Sequence, residues 1–136
     1  MRLWHKDLIE SLPRQQLLSQ WRECCCIARN IKVNGTPNHL LVNKILNYPL
    51  SHFATYSMLV ANEMERRGYK VDLGKFTKYL CGSSYWTFVP YCDLFAGWHD
   101  KRYLTQCYHN LEEKYDCGGI PENEWENVVK GYYKNK

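Results

Sequence analysis

Between Pro13 and the pair Asn34-Gly35 the chain contains no helix breaker, and its apolar residues recur every three to four positions. Leu17, Trp21, Cys24, Cys25, Ala28 and Ile31 fall on one stripe, and Gln15, Gln16, Ser19, Arg22, Glu23, Cys26, Arg29 and Asn30 lie opposite. The spacing predicts a long amphipathic helix over 12–32. Ser11 is placed to cap it, and Pro13 suits the first turn, where a missing N–H costs nothing. Asn34-Gly35 closes it. The apolar face of such a helix must be covered, and strand patterns are too weak elsewhere to supply a sheet.

The remaining signals are helical. A short helix is expected over 38–47, closed by Tyr48-Pro49, because a residue before proline is pushed out of the α region. A second long helix follows Ser51, buries Phe53, Tyr56, Val60 and Met64, and stops at Gly68 behind Arg66-Arg67, which suit the negative end of a helix dipole. Residues 73–80 fit another short helix, and 85–91 form an irregular aromatic stretch with no partner strand. A third long helix begins near Asp100, carries Tyr103, Leu104, Cys107, Tyr108, Leu111 and Tyr115 on its stripe, and ends at Gly118-Gly119. A turn or two over 122–129 leads into the tail Gly131-Tyr132-Tyr133-Lys134-Asn135-Lys136. The expected fold is all-α: a single compact domain over 1–136, with three principal helices, short accessory helices and an irregular C-terminal tail.

Composition narrows the partners. The 136 residues carry a formal charge of +4, and 15% of them are aromatic. That charge permits a polyanionic partner. No apolar run approaches the roughly 20 residues needed to span a membrane. Seven cysteines, three of them consecutive at Cys24-Cys25-Cys26, form neither a disulfide framework nor a Cys-x-x-Cys metal pattern, so no metal or cofactor is expected. They read as small apolar side chains in a reducing compartment. The start Met1-Arg2-Leu3-Trp4-His5-Lys6-Asp7 lacks the apolar core of a signal peptide, which points to the cytoplasm.

Three groupings carry possible chemistry. Arg22 and Glu23 flank the polar face of the first helix, with Arg29 two turns beyond Arg22 on the same side. Periodicity alone makes them a solvated face; alternatively they form an anion stripe beside a cleft carboxylate. Lys130, Tyr132, Tyr133, Lys134 and Lys136 interleave charge and rings with no acidic side chain, a pattern able to meet phosphates and stack on bases. An N-terminal α-amine, with an ordinary pKa of about 7.7–8.0, is partly unprotonated at neutral pH and so is a possible nucleophile. The histidines are scattered; His39 and His99 open helical segments and are candidates for acid–base or phosphate contact.

The stretch from Leu12 to Glu23, Leu-Pro-Arg-Gln-Gln-Leu-Leu-Ser-Gln-Trp-Arg-Glu, resembles the first helix of the pyrimidine-dimer DNA glycosylases of the endonuclease V type. The resemblance continues in patches: Asn38 to Lys44, Leu59 to Tyr69, Leu111 to Lys114 and Lys130 to Lys134. It leaves out 73–95. Met1-Arg2-Leu3-Trp4 together with Trp21-Arg22-Glu23 is similar to a bacterial branch of that family. The resemblance implies a three-helix domain that acts on UV-damaged duplex DNA as a monomer. The N-terminal amine, here that of Met1, would attack the sugar C1′ at a cyclobutane dimer, and β-elimination would then cut the strand. Glu23 would assist imine formation and collapse. Arg2 matches the arginine of the N-terminal arm, and Arg22 would hold phosphate. Arg14 and Gln15 fall at a DNA-contacting helix start, and Arg29 extends the basic stripe. Lys114 matches a basic residue near the site, and Lys130, Tyr132, Tyr133 and Lys134 match a tail lying against DNA. Base flipping would accompany binding. The alternative is a non-catalytic module on the same scaffold that recognises distorted or modified DNA.

Overall fold

A computed structural model describes residues 2–80 and 86–136. It is all-helical: α1 (Arg14–Asn34), α2 (Leu50–Arg66), the single turn α3 (Gly74–Thr77), α4 (Lys101–Asp116) and α5 (Glu122–Asn135). Short 3-10 segments at Lys6–Ser11, Val42–Asn47 and Tyr91–Asp93 connect them, and the described residues include no strand. Tyr85, which opens the aromatic stretch, lies outside the described residues.

The first helix has the expected stripe and a different start. Leu17, Trp21, Cys24, Ala28 and Ile31 are buried, joined by Gln20 and Ile27, while Cys25 is only half-buried. Ser11 does not cap α1; it closes the preceding 3-10 segment, and Pro13 occupies the cap position. The exposed first amide is met from α5, where Glu124 Oε1 accepts the Arg14 N–H at 2.9 Å. A carboxylate there also faces the positive end of the helix dipole. At the other end Gly35 takes φ +76°, the left-handed conformation that ends a helix at least cost in glycine.

α2 covers the α1 stripe with Phe53, Tyr56, Val60 and Met64, and α3 adds Phe76, whose ring lies 6.0 Å from that of Trp21. Ser51 is buried within the first turn of α2, not at its cap, which is Pro49. Over 38–47 only Val42–Asn47 is helical, because Asn43 Oδ1 accepts the His39 N–H and Asn38 sits at φ +59°. The paired arginines at the end of α2 do more than complement its dipole. Both meet the buried Glu63 carboxylate, and Arg67 also donates to the carbonyls of Leu12 (2.8 Å) and Glu10 (3.1 Å).

The C-terminal segment is the main correction. It is not an irregular tail but the helix α5. Trp125, Val128 and Tyr132 repeat at helical spacing and are buried against α4 and the first 3-10 segment. Tyr132 stacks on Tyr108 with ring centroids 3.9 Å apart, and its hydroxyl lies 3.0 Å from that of Thr105. Gly131 looks like a breaker in sequence, yet it marks a close approach: a Cβ there would lie 2.0 Å from Ser11 Oγ and 2.7 Å from Ser11 Cβ. Gly131→Ala should therefore destabilise the fold by about 1–3 kcal/mol of overpacking, despite alanine's better helix propensity. Ser11→Gly in the same chain should restore most of the loss in denaturant midpoint; equal midpoints for the single variant and the parent would contradict the contact.

The cysteines divide. Cys24 and Cys107 are buried as expected, whereas Cys26, Cys92 and Cys117 are exposed. His99 belongs to the core. It is buried 5.0 Å from the ring of His5, and each Nδ1 accepts a backbone N–H at 3.0 Å, His5 from Asp7 and His99 from Lys6. Burial pushes both imidazoles below their usual range. His99 is lowered further by the charges of His5 and Lys6, and for His5 the Asp7 carboxylate pulls upward. A proton on either Nδ1 would also displace a backbone bond. The unfolded chain thus binds protons that the folded one refuses, so stability is complete above about pH 6.5 and falls as pH drops below it, by up to about 1.4 kcal/mol per pH unit for each such group. Thermal melts between pH 7.5 and 5.0 should show this decline, and a flat Tm would contradict it.

Candidate functional site at the N-terminal arm

Residues 2–5 run into the interior beside three helices. Leu3, Trp4 and His5 are buried. The Leu3 carbonyl accepts the Tyr103 hydroxyl from α4 at 2.6 Å, and the Trp4 carbonyl accepts the Tyr56 hydroxyl from α2 at 2.6 Å. The Trp4 N–H donates to Gln20 Oε1 of α1 at 2.8 Å. The arm's polar backbone is thereby satisfied away from water, as buried peptide groups require. Arg2, half-buried, folds its guanidinium over the rings of Trp4 (5.6 Å) and Tyr103 (5.7 Å), with Nη1 3.7 Å from Cys107 Sγ.

Glu23 faces this arm from α1. Burial raises its pKa above the usual carboxylate range, while the Arg2 backbone N–H and the influence of His39 and Lys114 pull it back. A carboxylate held in this way takes up a proton more readily than an exposed one, which suits it to proton transfer. Gln20 Nε2 donates to Glu23 Oε2 at 3.3 Å.

The fold sets the Arg2 backbone beside Glu23 and brings Lys114 and His39 within electrostatic reach of its carboxyl group; His39 Nδ1 is 3.5 Å from the Val42 N–H. Met1 lies outside the described residues. Arg22 and Arg29 are exposed on the same side of α1, and Arg22 Nη2 reaches Ser19 Oγ at 3.3 Å. Arg14 and Gln15 are exposed at the start of α1, beside the turn Gly118 to Pro121. Lys130 and Lys134 line a different groove, with Glu10, Ser11 and Arg66. The two tyrosines of the basic segment part company: Tyr133 is 61% exposed with Lys136 Nζ 5.2 Å from its ring, whereas Tyr132 is 4% exposed and its ring belongs to the core. The helix that replaces the expected tail turns Tyr132 inward and so removes it from the accessible surface.

Gln20 was not singled out by sequence, and Tyr56 and Tyr103 were placed only on buried helix stripes, not at the site. One signal existed for Gln20: a polar side chain at the buried-stripe spacing, between Leu17 and Cys24. Among the described residues no cluster of His, Cys, Asp and Glu side chains is arranged to hold a metal ion.

A helical fold with this site defines a class: small all-α proteins whose N-terminal arm is folded back on to a helix bearing a half-buried glutamate and exposed arginines. Comparison with known families makes the assignment specific. The chain belongs to the pyrimidine dimer DNA glycosylase family, whose model matches residues 1–77. That span includes the arm, α1, α2 and α3, and ends before Lys114 and the 130–134 segment. No curated protein and no solved structure gives a significant match. No helix among the described residues is long and apolar enough to cross a membrane.

Proposed function

We propose that this protein is a DNA glycosylase with abasic-site lyase activity that acts on cyclobutane pyrimidine dimers in duplex DNA. The observation that carries the reading is the half-buried Glu23 carboxylate beside the Arg2 backbone N–H of a clamped arm. In a chain beginning at Met1, the α-amino nitrogen is three bonds from the Arg2 amide nitrogen and so within roughly 4 Å of it in any conformation.

The reaction follows from those two groups. The unprotonated amine forms a bond to C1′ as the bond from C1′ to the pyrimidine nitrogen breaks, and the base leaves with the bonding pair. Glu23 takes the proton the amine loses and returns it to O4′ as the C1′–O4′ bond breaks, so that the sugar opens to an imine linking C1′ to the protein. Removal of a C2′ proton by a carboxylate then expels the 3′ phosphate oxygen, cutting the strand. Water hydrolyses the imine and regenerates the amine. Neither a metal nor a cofactor enters the sequence of steps.

Arg22, Arg29, Arg14, Gln15 and Lys114 are assigned to the DNA, with Arg2 steadying the arm. Lys130, Tyr133 and Lys134 are further contacts from α5. Phosphate contacts of this number make binding steeply salt-dependent. One copy of the chain acts on damaged duplex DNA in the cytoplasm.

Borohydride reduction tests the reading. With an untagged N-terminus, duplexes holding an abasic site or a thymine dimer should yield a covalent protein–DNA adduct. Salt-sensitive binding without adduct would instead identify a non-catalytic module for distorted or modified DNA.

A further inference from the structure

We infer that Gln20 is a positioning residue that holds the N-terminal arm and the Glu23 carboxylate in one register, by accepting from the Trp4 N–H and donating to Glu23 Oε2. The inference rests on the lyase reading above and goes beyond it in naming what sets the relative placement of the two reacting groups.

Gln20 is fully buried in the middle of α1. A primary amide in such a place is costly unless both of its ends are satisfied. Its orientation is not free. The Trp4 N–H, 2.8 Å away, can only donate, so the atom facing it must be the carbonyl oxygen Oε1. The Tyr56 hydroxyl approaches the same oxygen at 3.1 Å while donating to the Trp4 carbonyl at 2.6 Å. With Oε1 committed to the arm, the NH2 end is turned towards Glu23 Oε2, at 3.3 Å. Glu23 is three residues further along α1, hence on the same face.

A continuous chain of bonds results: arm amide, Gln20 carbonyl, Gln20 amine, Glu23 carboxylate. The Trp4 peptide is gripped at both polar atoms, by α1 at nitrogen and by α2 at oxygen. A shift of the arm by one residue would replace both contacts, so the same side chain that aims the carboxylate also selects which arm residue precedes it. A residue that only packed the core would not need a donor aimed at Glu23.

The test compares Gln20→Glu with the parent chain. The variant keeps an acceptor for Trp4 and Tyr56 but faces Glu23 with an oxygen in place of the N–H donor. Two carboxyl groups so close share a proton and titrate together at higher pH. The acid limb of the trapping rate should move up by about one pH unit or more, and the rate at pH 7 should fall about tenfold or more, while binding to abasic duplex changes by less than about threefold. An unshifted limb in a folded variant overturns the role of Gln20.

A second measurement needs no variant in the core. In the parent protein the Gln20 side-chain amide resonances should shift with pH as Glu23 titrates, and they should stop doing so in Glu23→Gln. Resonances that ignore the Glu23 titration overturn the link. A parent chain that forms no adduct at all overturns the lyase reading itself, an outcome separate from either of these.

Discussion

Glu23→Gln is expected to bind abasic and dimer-containing duplexes within about threefold of the parent chain while forming trapped adduct about 10² to 10⁴ times more slowly. The amide keeps the size of the carboxylate, and its carbonyl oxygen can still accept from Gln20 Nε2. What it loses is the ability to take a proton. It also loses a charge that burial disfavours, as the raised pKa of Glu23 records, so the variant should melt at or above the parent temperature. The combination is diagnostic: a defect in activity with a gain in stability marks a group kept for chemistry against the preference of the fold. A variant that traps DNA at the parent rate would remove Glu23 from the mechanism.

Moving the α-amine should be equally severe. A Gly-Ser extension before Met1 carries the amine two residues outward, up to about 7 Å of extended chain. The anchoring contacts of residues 3 and 4 with Tyr103, Gln20 and Tyr56 lie further in and should persist. Trapping should vanish, duplex binding should remain salt-sensitive, and proteolytic removal of the extension should restore adduct formation. Acetylation of the amine should have the same effect without added length. If the extended chain still forms adduct at the parent rate, and peptide mapping places the crosslink on Lys114, the nucleophile is a lysine and the N-terminal assignment fails.

These predictions draw on features that differ in how far sequence could reach them. The boundaries of the long helices were legible where a local signal acts alone. Gly35 ends α1 by its left-handed φ, and Asp100 starts α4 by accepting the Tyr103 N–H at 2.8 Å. Boundaries were misread where a distant partner intervenes. Ser11 has the chemistry of a cap, but the amide it would have capped is met by Glu124, far along the chain. The second half of α5 was missed for a related reason. Its basic and aromatic residues resemble a tail to composition, and Gly131 resembles a breaker. The stripe Trp125, Val128, Tyr132 becomes a helix because α4 offers Tyr108 to stack on and the first 3-10 segment offers a surface that only a glycine can approach.

The site divides in the same way. Sequence alone determined that Arg22 and Glu23 lie on the polar side of a long helix and that basic and aromatic residues cluster over 130–136; resemblance implied the pairing of an N-terminal amine with Glu23. Helical periodicity and motif order are local quantities, and one strand of text contains them. Tertiary structure alone decided that Tyr132 is core and Tyr133 surface, that His99 is a buried neutral partner of His5, and that Gln20 joins Trp4 to Glu23. Each of those outcomes depends on which surfaces meet after the chain folds. Burial and hydrogen-bond partnership are properties of the contact, and a residue's own neighbours in sequence do not contain them.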